Sequence, residues 1–266
     1  MSAMPEERAG ESEERLVGAD RVIAVLTELA EHPLGVTLEE LAGNLRSAKP
    51  TVHRALATLR RAGLADLVGR GVYVLGDEYL RLAFRNLEGR PESQRIQPLL
   101  EELATRYGET AHYAILSGTD VVYRAKMDPP EGAVRLTSVI GGRNPASRTA
   151  VGKVLLSSTL STIDDVTEWF GTFPLEAKTP HTLTTAQQIL DELRVTEQRG
   201  YGVDREENEL GVNCVAVSIC LDGFAEPAGA ISVSGVSFRC PLETLVAAVP
   251  DIRQSIQNHL GSNAVA

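Results

Sequence analysis

Few folds can accommodate residues 36–75. Thr37-Leu38-Glu39-Glu40 has the layout of a capping box, in which the Thr37 hydroxyl and the Glu40 carboxylate satisfy each other's backbone N–H groups. Leu38, Leu41, Ala42 and Leu45 lie behind it at helical spacing. A second helix is expected within a few residues. Ser47 is placed to cap it, Pro50 falls in its first turn where a missing N–H costs nothing, and Val52, Ala55, Leu56 and Leu59 form its apolar stripe. Burying that stripe turns Pro50, His53, Arg54, Ala57 and Arg61 outward. Gly63 ends the helix, and residues 64–68 and 72–75 read as two short strands around the turn Gly69-Arg70-Gly71. Upstream, Val22, Val25, Leu26 and Leu29 make a first helix that stops at His32-Pro33-Leu34-Gly35. Three helices and a hairpin in this order specify a winged helix-turn-helix.

Charge bears on what such a unit can touch. The 266-residue chain carries a formal net charge of -10, yet between Arg46 and Gly71 the basic residues Arg46, Lys49, Arg54, Arg60, Arg61 and Arg70 face one acid, Asp66. A charge cluster alone is more often a solvated helix face than a binding site. Placed on the outward side of the third helix and at a wing tip, it is suited to double-stranded DNA, where arginine and lysine read guanine edges and grip phosphate. The candidate contacts are Ser47, Lys49, Pro50, Thr51, His53, Arg54 and Arg70.

Composition excludes other classes. With 43% hydrophobic and 23% charged residues, the chain has the material of one or two globular domains. Its longest apolar stretches, 212–221 and 228–236, fall well short of the roughly 20 residues of a membrane helix, so no span is expected. The acidic first 15 residues lack the layout of a secretory signal and read as a polar tail on a cytoplasmic protein. Cys214, Cys220 and Cys240 show no C-x-x-C pair, and His112, His181 and His259 no metal-ligand spacing. Neither a disulfide framework, a metal nor a cofactor is expected.

Beyond the wing, residues 77–87 read as a helix before the breaker Gly89-Arg90-Pro91, and 96–107 as an amphipathic helix stopped by Gly108. The period then changes to that of a hairpin, 112–116 and 121–125 around Ser117-Gly118-Thr119-Asp120. Helices are expected over 150–157, 164–170 and 185–199, strands over 212–221 and 228–236, and a closing helix over 242–260 with Pro250 near its start. This mixed order implies an α+β domain with an antiparallel sheet.

VTLEELAGNLRSAKPTVHRALATLRRAGLADLVGRGVYVLG, residues 36–76, resembles the DNA-binding domain of the IclR family of bacterial transcriptional regulators. NPASRTAVGKVLLSS, 144–158, is similar to the family's segment with a Gly-Lys at the start of an effector-domain helix, and RGYGVDREENELGVNCVAVSI, 199–219, to its most recognisable signature. Ser147 stands where many members carry His, Pro50 replaces a common Ser, and Cys220 takes a usually aromatic position.

The resemblance implies a domain plan: a tail over 1–15, a winged helix-turn-helix over 16–76, a linker helix over 77–90, and a GAF-like effector-binding and oligomerisation domain over 91–266. It implies a ligand-responsive regulator of a catabolic operon, repressor or local activator, bound to operator DNA as a homodimer or dimer of dimers. It also implies an effector site at Asp204, Cys214, Ser232, Ser234 and the backbone N–H groups of Ala150 and Val151. A helix N-terminus there suits a carboxylate. Asp204 would repel a bare anion, which favours a hydroxylated or hydrated acid.

Each residue also has an ordinary structural reading. Cys214 suits an apolar core strand, Asp204 a turn cap, Ser232 and Ser234 plain strand pairing, and Lys153 a solvent-facing position. The competing class is an enzyme fused to a DNA-binding module, with Cys214 or Cys220 as nucleophile and His181 or His112 as base. Against it, the sequence has no Gly-x-Ser-x-Gly elbow, no phosphate-cradling loop and no His-Glu-x-x-His helix. No catalytic residue is expected.

Overall fold

The computed structural model describes residues 18–88, 91–129, 136–221 and 227–265, so the acidic tail and the breaker pair Gly89-Arg90 lie outside the described residues. The chain divides into two compact units, residues 1–89 and 90–266.

In the first unit α1 (Ala19–Ala30), β1 (Val36–Thr37), α2 (Leu38–Asn44), α3 (Lys49–Arg61), β2 (Ala65–Val68), β3 (Val72–Leu75) and α4 (Asp77–Glu88) follow in order. The capping box forms: Glu40 N–H donates to Thr37 Oγ1 at 3.3 Å and Thr37 N–H to Glu40 Oε2 at 2.9 Å. Val25, Leu29, Leu41, Val52, Leu56 and Leu59 meet in one core, closed by Tyr73 from the wing. Where α3 ends, Gly63 takes a φ of +69° and the Leu64 N–H returns to the Leu59 carbonyl at 2.9 Å, the six-to-one bond of a glycine-terminated helix. The wing returns close to that end, because a Cβ on Gly76 would overlap the Gly63 carbonyl.

Two local expectations are corrected. Ser47 does not cap α3: the N-cap is Ala48, whose carbonyl accepts from the Thr51 N–H at 2.8 Å, while the Ser47 N–H is bonded to the Ala42 carbonyl at 2.9 Å. The turn between α2 and α3, with Arg46 at a φ of +45°, spends Ser47 on closing the turn and so moves the helix start one residue on. The wing also has a third strand, β1, which pairs with β3 to give the order β1-β3-β2.

The second unit contains α5 (Pro91–Tyr107), β4 (Thr110–Ser117), β5 (Asp120–Met127), β6 (Arg143–Pro145), α6 (Ala150–Leu156), α7 (Ile163–Phe170), α8 (Ala186–Arg199), β7 (Gly202–Arg205), β8 (Val212–Ile219), β9 (Gly229–Val236), α9 (Leu242–Ala247) and α10 (Val249–Leu260). Its sheet is antiparallel throughout, in the order β6-β5-β4-β9-β8-β7. The closing helix is two helices meeting at Ala248, with Pro250 tolerated in the first turn of the second.

Alternation along the strands decides where space remains. Val215, Val217, Ile231 and Val233 face α5, α9 and α10 and fill that side. The opposite face carries Ala114, Ala216 and Ala230 beneath α6, α7 and α8. Small side chains there let α6 approach closely. Gly152 and Gly202 serve the same end, since a Cβ on either would overlap the Ala146 or the Ala150 carbonyl. Among the described residues no helix is long and apolar enough to cross a membrane.

Candidate functional site

The first surface lies on α3. With Val52, Ala55, Leu56 and Leu59 buried, Lys49, Pro50, His53 and Arg54 are exposed on the outward side, and Thr51 and Ser47 are partly so. Arg60 and Arg61 continue the exposed cationic character to the helix end. Arg70 is exposed at the wing tip between Gly69 and Gly71, whose φ of +59° and +85° permit the tight turn. Lys49 Nζ pairs with Glu39 Oε1 at 2.8 Å, and Arg54 Nε donates to the Pro50 carbonyl at 3.3 Å. Both contacts are exposed and weak enough for phosphate or a base edge to replace them.

The second site is a cavity of about 200 Å³ on the α6 face of the sheet, and it is lined by Ala150, Val151, Asp204, Cys214, Ser232 and Ser234 together. Strand register explains how residues so far apart in the chain meet. Asp204 is opposite Cys214, Cys214 opposite Ser234 and Ser232 opposite His112, so polar side chains from four strands share one face. Cys214 Sγ donates to Ser234 Oγ at 2.7 Å. At the far side the amides of Ala150 and Val151 open α6, whose cap is Thr149: its Oγ1 accepts from the Gly152 N–H at 3.0 Å.

Burial governs the electrostatics. Asp204 Oδ1 accepts from the N–H groups of Glu207 at 2.8 Å and Asn208 at 3.4 Å. Loss of hydration nevertheless pushes its carboxyl up to about 7, against the opposing pull of Lys153. The Cys214 thiol is pushed far up by burial and then by Asp204, so it remains protonated and is no thiolate nucleophile. Among the described residues that line the cavity, the lysine and arginine side chains are Lys178 and Arg143, both exposed.

His112, read only as a surface or core histidine, lines the cavity. Burial, and then Lys126, brings it down to about 3, so it is neutral; its Nε2 lies 2.8 Å from Ser138 Oγ and its ring packs on Tyr123 at 4.8 Å. Tyr123 is raised to about 12, chiefly by burial. His112 and Ser232 become neighbours only through the β4–β9 pairing, which no local pattern reveals. Lys153 does not face solvent. It is 2% exposed, with Nζ donating to the Val203 carbonyl at 2.9 Å and paired with Glu207.

A winged helix with an outward cationic face, in a chain whose other unit encloses a polar cavity, defines a DNA-binding transcriptional regulator. The chain belongs to the IclR family: the family's helix-turn-helix domain matches residues 18–68, and the bacterial transcriptional regulator IclR C-terminal domain matches residues 87–258. The transcriptional repressor IclR of Escherichia coli is 30% identical over 220 residues, covering 81% of this chain and 78% of that protein. The crystal structure of Thermotoga maritima IclR matches with a TM-score of 0.68 and 25% identity over 91% of this chain and 97% of that one. The inducer-binding domain of the transcription factor PobR from Acinetobacter, solved as a double mutant with 3-hydroxybenzoic acid, matches at 29% identity and a TM-score of 0.55, covering 62% of this chain and 95% of that one. Such relatives are named as regulators and repressors, and the protein is a regulator rather than an enzyme.

Proposed function

We propose that the protein is an effector-responsive repressor whose operator binding is modulated by a small hydroxylated carboxylate held in the cavity. The observation that carries this reading is the convergence of Ala150, Val151, Asp204, Cys214, Ser232 and Ser234 on one 200 Å³ space. The amides that open α6 suit the acid group. The Ser232 and Ser234 hydroxyls add directional bonds, and Asp204, with its carboxyl near 7, takes a ligand hydroxyl without imposing a full negative charge. The 3-hydroxybenzoic acid in the PobR inducer-binding domain is an acid of this class. Binding acts by shifting the population of domain arrangements, and only as far as the ligand prefers one of them.

On this reading Ser47, Lys49, Pro50, Thr51, His53 and Arg54 face the major groove, and Arg70 contacts backbone or minor groove. The chain works as a homodimer or dimer of dimers, because two half-sites are needed for selectivity. Tyr79, Leu80, Leu82 and Phe84 are exposed on α4 and give a partner apolar surface to cover. The test is calorimetry with a panel of small hydroxy acids. Ser234→Ala and Asp204→Ala should each weaken binding of the acid that the parent takes by about ten-fold or more, while effector-free operator binding stays intact. Parent-like affinity in both variants would place the effector elsewhere.

A further inference from the structure

We propose that the buried Lys153–Glu207 ion pair is a positioning device for the cavity, tying the turn after β7 to α6 and so fixing where the Asp204 carboxyl sits. Lys153 Nζ donates to the Val203 carbonyl at 2.9 Å and pairs with Glu207 Oε1. These contacts bracket Asp204, one on the residue before it and one three residues after. Asp204 Oδ1 closes the circuit by accepting from the Glu207 N–H at 2.8 Å. Beside the β7–β8 pairing, the carboxyl is thus tied to a turn that the lysine holds from α6.

A buried lysine is expensive to desolvate and weak evidence for stability, so its place here asks for another role. The approach of α6 to β7 does not depend on the lysine alone, since Gly202 also lies against Ala150 and Val154. The pair also reaches outward: Glu192 on α8 lies 3.9 Å from Lys153 Nζ and accepts from Arg199 Nη2 at 2.7 Å. The groups that act on Asp204 or are acted on by it are Lys153 from α6, Glu207 from its own turn, Cys214 from β8 and Tyr123 from β5, with Glu209 lining the same cavity. Among these Lys153 favours the ionised carboxyl and Glu207 opposes it, the lysine more strongly. That Asp204 meets a ligand rests on the function proposed above; the hold of the pair on Asp204 does not, and its test uses no ligand.

The Asp204 carboxyl is followed by ¹³C NMR across pH in the full chain, with Asp204→Asn to assign the resonance. Lys153→Met removes the cation and should raise the midpoint, whereas Glu207→Gln removes the like charge and should lower it, each by about one pH unit. Midpoints that move the same way, or that do not move, overturn the proposal. The two charges alone would give opposite shifts, so the hold on position is read from exchange of the 207 and 208 amides that Asp204 accepts from, which both variants should speed. Should a single variant not fold, Lys153→Met/Glu207→Met decides, because it replaces the pair by apolar side chains. Amide exchange at positions 207 and 208 should then be about ten-fold faster relative to β9 than in the parent, and parent-like protection overturns the proposal.

Discussion

Burial costs the Asp204 carboxylate its hydration, and that cost is readable in the pH dependence of folding. Its folded-state value, about 7, lies above the ordinary 3.8, so between the two the folded chain keeps a proton that the unfolded chain has released. The contribution to stability is full below about pH 4 and is lost as pH rises through about 7. Asp204→Asn keeps an oxygen to accept the Glu207 and Asn208 N–H groups but cannot ionise. It should therefore be more stable than the parent above pH 7, by up to about 4 kcal/mol, with the gap closing towards pH 4. Denaturant unfolding across that range checks this, and a gap that does not widen with pH would mean that Asp204 ionises normally. The motif marked Asp204 as a candidate, and the structure places it in the cavity lining. Its raised value was not, since it depends on desolvation by elements distant in sequence.

At the scale of elements, the approach of α6 to the sheet rests on absent side chains. Gly202→Ala would drive a Cβ into the Ala150 carbonyl, a backbone atom that cannot swing aside. A loss of about 2–3 kcal/mol in urea unfolding is expected, and a parent-like midpoint would show that α6 can shift freely. Helices α1 to α3 could be read from spacing, capping and glycine because those rules act within a few residues. The strands β1, β6 and β7, two to four residues long, were not legible, since so short a run shows no period and none of the three is flagged, as β2 and β3 are, by a partner across a tight glycine turn. Ser47 misled for a related reason: its side chain suits a cap, but the turn geometry assigns that position to Ala48.

For the whole molecule, the net charge of -10 and the basic face of α3 act against each other at any DNA surface. Operator affinity should fall steeply with salt, and Arg54→Ala should cost about 1–3 kcal/mol if Arg54 reads a base. An unchanged affinity in a defined salt buffer removes it from the interface. Sedimentation should show self-association at micromolar concentration, and a species of 28.6 kDa alone, with or without operator, would contradict the dimer. The sequence by itself determined the winged helix, the family and six of the residues that line the cavity, because capping, periodicity and motif spacing are local and carry their own meaning. Only the tertiary structure decided that His112 and Tyr123 join that set, that Lys153 is buried against Glu207, and that Asp204 stands near neutrality. Those facts depend on which strands pair and which groups lose water together, and both are properties of the assembled sheet rather than of any segment of the chain.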